Sequence, residues 1–462
     1  MEATSKTFKI IQGGMGVNIS NWVLARTVSM QGELGTISGT MLEGVLVYEL
    51  QHGDTKGNLR RALSHFPYPH ISQMVLDTYY VDGGIAPGVK MKKAEMFTIK
   101  PSNLLIASAI CANYAYVWLA KEGHSNPISI NYLEKVNMPH IYNIVGAMLA
   151  GVDFITMGAG LPIQIPRVIN SILNGEIVSY SIPVINRKED EIVSFNPELF
   201  FGEKLPTMER PKFMPIIASM TAAMILIKNC PEGSIYAFIV EEPTAGGHNA
   251  PPRNKKDYTK EKDYIKYEEL CKLGIKFWIG GSYASAEKLK WALSVGAQGI
   301  QVGSIFALSE ESGMYSKIRA EVRKLGFNCE LEVETSPQKS PTGYPFKVAK
   351  IPDTLWEDIV FMSRIRVCNR GGLVLLYEKE DKTIGYICSA EPIKNYVKKG
   401  GDESDTEGRV CLCNGLYATA GMGFEDEPPI ITIGDDVTFL KHLMVKEDSS
   451  YSAKDALEYL LN

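Results

Sequence analysis

The sequence predicts an α/β chain folded as a TIM (β/α)₈ barrel, with an insertion after the second strand and a C-terminal extension. Three observations carry this. Eight short β-rich apolar runs follow one another, most close on or beside a glycine, and a helical pattern comes after each. The runs are FKIIQGG (8–14), ELGTISG (33–39), ISINYL (128–133), DFITMG (153–158), FMPIIAS (213–219), IYAFIVEE (235–242), IKFWIGG (275–281) and GIQVGS (299–304). Eight such units, complete near residue 326, suit a closed barrel better than an open doubly wound sheet.

Helical periodicity fills the intervals. Ile141, Ile144, Val145, Met148 and Leu149 share one face, which predicts a core-facing helix. After the seventh run Ser285 is placed to cap a helix carrying Leu289, Ala292 and Leu293, with Glu287 in its first turn. After the eighth, Met314, Ile318, Val322 and Leu325 form a stripe, and Gly326 is the expected stop. The segment 103–123 reads as helix rather than as a ninth strand, because its apolar run is long.

Residues 1–326 are therefore expected to form the barrel. Within them 42–102, rich in aromatics and proline at HFPYPH (65–70), is expected to be an inserted lid or side wall. Residues 327–462 are expected to pack on the barrel as an extension, covering its mouth or making an oligomer contact. Its KKGGDESDTEG run (398–408) reads as a solvated loop.

Composition narrows the function classes. A net charge of −5 without a Lys/Arg stripe argues against nucleic acid or an anionic membrane surface as partner and favours a small-molecule substrate. The opening MEATSKTFKIIQGGMG lacks the pattern of a secretory signal, and no run of 18 apolar residues occurs, so a cytoplasmic location is expected. Eight cysteines are too few for a disulfide scaffold in 462 residues. Cys368, Cys388, Cys411 and Cys413 offer only C-x-C with irregular upstream spacing, which is weaker than paired C-x-x-C, so no metal site is predicted and reduced thiols are expected.

In a parallel barrel the reactive groups lie on loops after the strand C-termini, and phosphates favour the loops after strands seven and eight. Both loops carry glycine here: Gly280 and Gly281 end the seventh run, and Gln301, Gly303 and Ser304 end the eighth, so bare N–H groups could cradle one phosphate. The loop after the sixth run reads EEPTAGGHNAPPR (241–253); Gly246 and Gly247 let main chain approach a planar ligand, and His248 sits at the barrel mouth as a base or hydrogen-bond donor. Gly14 and Met15 offer main chain to a flat ring. GGMGVN lacks the G-x-G-x-x-G spacing and the acidic ribose ligand of a dinucleotide site, so a mononucleotide fits better. Asn131 supplies an amide for a ring edge, and Lys135 a cation for negative charge on the ligand. Gly158 and Gly160 suit a tight turn beside the same pocket.

At IIQGGMG, SINYLEK, MGAGLP, AGGH, IGGS and IQVGS, across about residues 8–325, the sequence resembles the nitronate monooxygenase family, formerly 2-nitropropane dioxygenases, which also includes flavin-dependent enoyl reductases. The resemblance implies an FMN-containing barrel with phosphate at Gly281 and at Gln301 through Ser304, further flavin contacts at Asn131 and Gly246, and His248 as the reactive-site histidine. In that family a nitronate anion is oxidised on FMN and dioxygen to a carbonyl compound and nitrite. The chain departs from shorter members at Glu241, where a Gln is usual, at Thr244 in place of a Glu, and at Ser304 in place of a Thr. Its insertion and extension look more like the long branch near the trans-acting enoyl reductases of polyketide and polyunsaturated fatty acid synthesis. Nitronate oxidation is thus the expected activity, and the alternative is NAD(P)H-dependent reduction of an enoyl thioester on acyl carrier protein. A basic groove for a carrier arm would favour the alternative, and a dense basic run is missing, although Arg253, Lys255 and Lys256 follow His248 closely.

Overall fold

The computed structural model describes residues 8–249, 265–424 and 426–462, so Arg253, Lys255 and Lys256 lie outside the described residues. Every one of the eight apolar runs overlaps a strand of one sheet: β1 (Ile10–Gln12), β2 (Gly35–Ser38), β3 (Ile128–Leu133), β4 (Phe154–Gly158), β5 (Lys212–Ile217), β6 (Ala237–Glu241), β7 (Lys276–Gly280) and β8 (Gly299–Val302). From β2 to β8 each strand pairs in parallel with its successor, and β8 returns to β1 in the register Ile10↔Ile300.

The ring closes at a thin seam. β1 and β2 meet at one parallel bridge, Ile11↔Leu34, where Gln12 N–H donates to Leu34 O at 2.9 Å and Leu34 N–H donates to Ile10 O at 3.0 Å. The buried Gln12 amide extends the join, accepting from Thr36 N–H at 2.9 Å. Phe8, stacked on Trp278 with ring centroids 4.9 Å apart, plugs an interior filled by Ile11, Leu34, Phe154, Met214 and Ile239. The barrel is thus a packed core whose chemistry is confined to its ends.

The segment 103–123 is a helix, Asn103–Lys121, capped by Ser102, whose side chain accepts from Leu105 N–H. It is the one helix among the described residues long and apolar enough to cross a membrane. Its apolarity has another cause: it is buried almost all round, against the helix His140–Leu149 and the helices Leu42–Gln51, Asn58–Ser64 and Pro69–Tyr79 of the inserted region. Close approach here depends on Gly146, where a Cβ would lie 2.2 Å from Ile110 O. Gly146→Ala is expected to push the two helices apart and cost about 1–3 kcal/mol, read as a lowered denaturation midpoint.

One expectation about helices holds and one needs correction. Ser285 caps the helix Ala286–Ser294, which carries Leu289, Ala292 and Leu293, with Leu289 and Ala292 buried. Gly326 does not stop its helix, which runs Ser316–Phe327; the left-handed residue is Cys329, at φ +60°. Gly326 serves packing instead, since a Cβ there would lie 2.5 Å from Leu440 Cδ1.

One element was not anticipated. Between β4 and β5 the chain forms an antiparallel pair, Val178–Ile182 with Glu191–Phe195, and the strand Val184–Ile185 that follows the first of these pairs with Leu375–Glu378 of the extension. The extension also contributes Val333–Ser336 against Phe346–Ala349 and a last helix, Ala453–Leu461, which carries its own capping box and packs on the first barrel helix, Trp22–Met30.

Candidate functional site

The C-terminal ends of the barrel strands open into a cleft of two lobes joined at Gly14, Glu241, Gly246 and Gly247. The first lobe gathers Gly14, Met15, Gly280, Gly281, Gln301, Gly303 and Ser304. Among the described residues the main-chain N–H groups of Gly281, Ser282, Gly303 and Ser304 donate to no protein acceptor. Unpaired N–H groups at a pocket wall are costly unless a ligand or water takes them, and four together form an anion cradle. Glycine is required at Gly281: its φ is +112°, and a Cβ would lie 2.9 Å from Glu242 Cβ. Two carboxyl residues line this lobe, Glu241 and Asp436, and Asp436 is held by Lys288 at 2.6 Å, which offsets its charge.

The second lobe holds Asn131, Gly158 and His248. Asn131 Nδ2 donates to Gly14 O at 3.3 Å, while its Oδ1 is buried with no partner among the described residues, an acceptor left open. Gly14 permits this approach, since a Cβ there would lie 2.3 Å from Asn131 Cβ. Gly158 lets β4 close on Ile216 of β5, whose Cβ would be 2.9 Å from an added Cβ. Gly160 lies outside the two lobes, beside Glu134. An anion cradle at one end, a flat glycine-walled passage and an orphaned amide oxygen at the other could hold an elongated planar ligand that carries an anionic group.

His248 stands between the second lobe and an outer recess that contains Lys135. Its Nε2 lies 2.7 Å from Ser340 Oγ, and its ring meets Phe346 edge-on at 4.9 Å. Burial, aided by the Lys135 charge, pushes its pKa down to about 4, so the imidazole is neutral at pH 7. Lys135 lies 3.9 Å from Glu134 Oε2 and 4.5 Å from the centre of the Tyr344 ring, reaching the cleft through its field on His248 rather than through the lobes.

Ser340 and Phe346 belong to the extension, which was expected over the barrel mouth, and other parts of the wall come from it through contacts that sequence reasoning did not name. Gly247 N–H donates to Thr432 Oγ1 at 2.7 Å, Gly434 N–H donates to Ser304 Oγ at 2.9 Å, and Lys347 N–H donates to Gly247 O at 2.9 Å. Gly246 accommodates this roof, because a Cβ would come 2.9 Å from the Ile433 carbonyl carbon. The available signal was IITIGDD (430–436), an apolar run ending in glycine like the barrel strands.

All eight cysteines are free thiols. Cys388 is pushed well above the usual thiol range by its hydrogen bond with Cys368 and by burial, and Cys413 likewise by Cys411 and burial. Among the described residues no group of three or more His, Cys, Asp or Glu side chains is placed to hold a metal ion.

No protein-family profile matches the chain, and no curated protein matches it. Solved structures do. The enoyl reductase domain of MlnA from the macrolactin biosynthesis cluster of Bacillus amyloliquefaciens aligns over 99% of this chain and 94% of its own, at 12% identity and TM-score 0.49. Nitroalkane oxidase from Streptomyces ansochromogenes aligns over 99% and 95%, at 11% identity and TM-score 0.45. FabK from Thermotoga maritima aligns over 98% of this chain and 92% of its own, at 15% identity and TM-score 0.51, and with that structure this chain shares the fold, a (β/α)₈ barrel.

Proposed function

We propose that the chain is an FMN-dependent oxidoreductase that oxidises alkyl nitronates with dioxygen to a carbonyl compound and nitrite. The observation that carries the reading is the set of four unpaired N–H groups after β7 and β8, facing the lobe that His248 and Asn131 extend. Bound there, FMN would accept electrons from the nitronate and pass them to dioxygen. Gly281, Ser282, Gly303 and Ser304 would hold its phosphate and Asn131 Oδ1 its ring edge. A histidine pushed down to about 4 is a weak base, so His248 orients a preformed anion rather than deprotonating a neutral nitroalkane, with Ser340 fixing the ring. Lys135 adds a positive field from behind.

A second reading, enoyl-thioester reduction with a substrate delivered on acyl carrier protein, has one observation of its own. Leu373 lines both the second lobe and a wide outer recess of mixed charge, with Lys379, Lys398 and Lys399 beside Glu378, Glu380, Asp381, Asp402 and Asp405, and a long substrate arm could lie along it. Two assays on the purified yellow protein separate the readings: oxygen uptake with propionate 3-nitronate or an alkyl nitronate, and anaerobic bleaching by NADH or NADPH. Nitronate-dependent oxygen uptake is expected. Fast nicotinamide bleaching without it would sink the nitronate reading, and protein that binds no FMN would sink both.

A further inference from the structure

We propose that Glu241 is the hydrogen-bond donor of the cleft, a carboxylic acid that keeps its proton and presents it to an anionic ligand lying between the two lobes. The proposal deepens the oxidoreductase reading and rests on it for the second readout only.

Position comes first. Glu241 ends β6, opposite Gly280 of β7, and lines both lobes and the outer recess. It is the one titratable residue common to all three. Its neighbour Glu242 is anchored elsewhere, accepting from Tyr267 OH at 2.6 Å and Tyr283 OH at 2.9 Å. The Glu241 carboxyl group has no hydrogen bond or ion pair among the described residues. A carboxyl group turned into a glycine-walled cavity without a partner is costly to keep unless a ligand completes it.

Its charge state follows from the same surroundings. Burial pushes its pKa up to about 8, and no neighbouring charge pulls it back. The ionisable groups sharing its recesses are His248, Lys135, Glu134 and Tyr344 on the outer side, Tyr132 and Cys413 in the second lobe, and Tyr283 and Asp436 in the first. At pH 7 the junction therefore holds a neutral acid beside the neutral imidazole of His248, two groups pushed in opposite directions by one dry site. An ionised Glu241 would repel a nitronate; a protonated one donates to its oxygen. The proton remains on Glu241 throughout, so no transfer is required.

The test begins without substrate. A difference infrared titration, wild type minus Glu241→Gln, is expected to show a protonated-carboxyl carbonyl band at pH 7 that disappears with a midpoint near 8. A carboxylate in place of that band at pH 6.5 overturns the proposal. In the second readout, kcat/KM for the nitronate is expected to fall about tenfold per pH unit above that midpoint in wild type. Glu241→Gln, which keeps a donor and cannot ionise, should be slower but flat over the same range, whereas Glu241→Asp should keep the alkaline fall. An alkaline fall as steep in Glu241→Gln as in wild type removes Glu241 from the role. Because the infrared experiment needs no turnover, an inactive protein that shows the band counts against the nitronate reading and for the protonated acid.

Discussion

On the proposed function, replacing His248 by asparagine is expected to leave FMN content unchanged and to lower nitronate turnover on the order of 100-fold, the cost of a misplaced substrate. The cradle that would hold the phosphate is built from main-chain groups after β7 and β8 and includes no atom of His248. What the substitution removes is the imidazole held between Ser340 and Phe346. Asparagine retains a polar amide, so the wall stays wettable and fold loss is a poor explanation for any deficit. Flavin absorbance gives cofactor content and stopped-flow mixing with a nitronate gives the rate. Full activity in the variant would exclude His248 from the mechanism.

The complementary result is expected at Gly303. Its φ of −109° is open to any residue, and a Cβ would meet only the Met15 side chain, at 3.2 Å from Sδ, which can swing aside. Gly303→Asp should therefore fold, while placing a carboxylate among the N–H groups of the cradle. A like charge about 4 Å from a phosphate opposes binding by a few kcal/mol at an effective dielectric near 20, so FMN affinity should drop on the order of 100-fold or more. Fluorescence titration of FMN into the apoprotein measures the loss, and a thermal melt matching wild type shows that the barrel is intact. An affinity within threefold of wild type would move the phosphate elsewhere. The two variants thus separate cofactor retention from chemistry.

Much of this site was legible because a parallel barrel writes its architecture locally. Each strand is a short apolar run, and each functional loop begins within a few residues of its end, so Gly280, Gln301 and His248 could be assigned a common face from order alone. Glycine at Gly14 and Gly281 was read as main chain open to a ligand, and in the structure the missing Cβ also makes room for Asn131 and Glu242. The pair Val178–Ile182 and Glu191–Phe195 was missed because its alternation is brief and half exposed, with Ile192 facing out at 61%. The roof was expected only as a segment over the mouth, and its individual contacts were illegible for a different reason. Ser340 reaches His248 across 92 residues and Thr432 reaches Gly247 across 185, and bonds of that span leave no period in the sequence. The neutral state of His248 was equally illegible, since it depends on burial beneath that roof.

The extension's place over the barrel mouth also sets an order of events during synthesis. When β8 has left the ribosome, all eight strands can close, yet Gly247 still lacks the hydroxyl of Thr432 and Ser304 the N–H of Gly434. The first barrel helix waits longer still for its partner, Ala453–Leu461. At an elongation rate of roughly 5–20 residues per second, the nascent barrel spends several seconds with an open, glycine-lined mouth. Flavin capture and protection of that mouth are therefore expected to be late steps, completed only when the extension folds back onto a barrel that already exists.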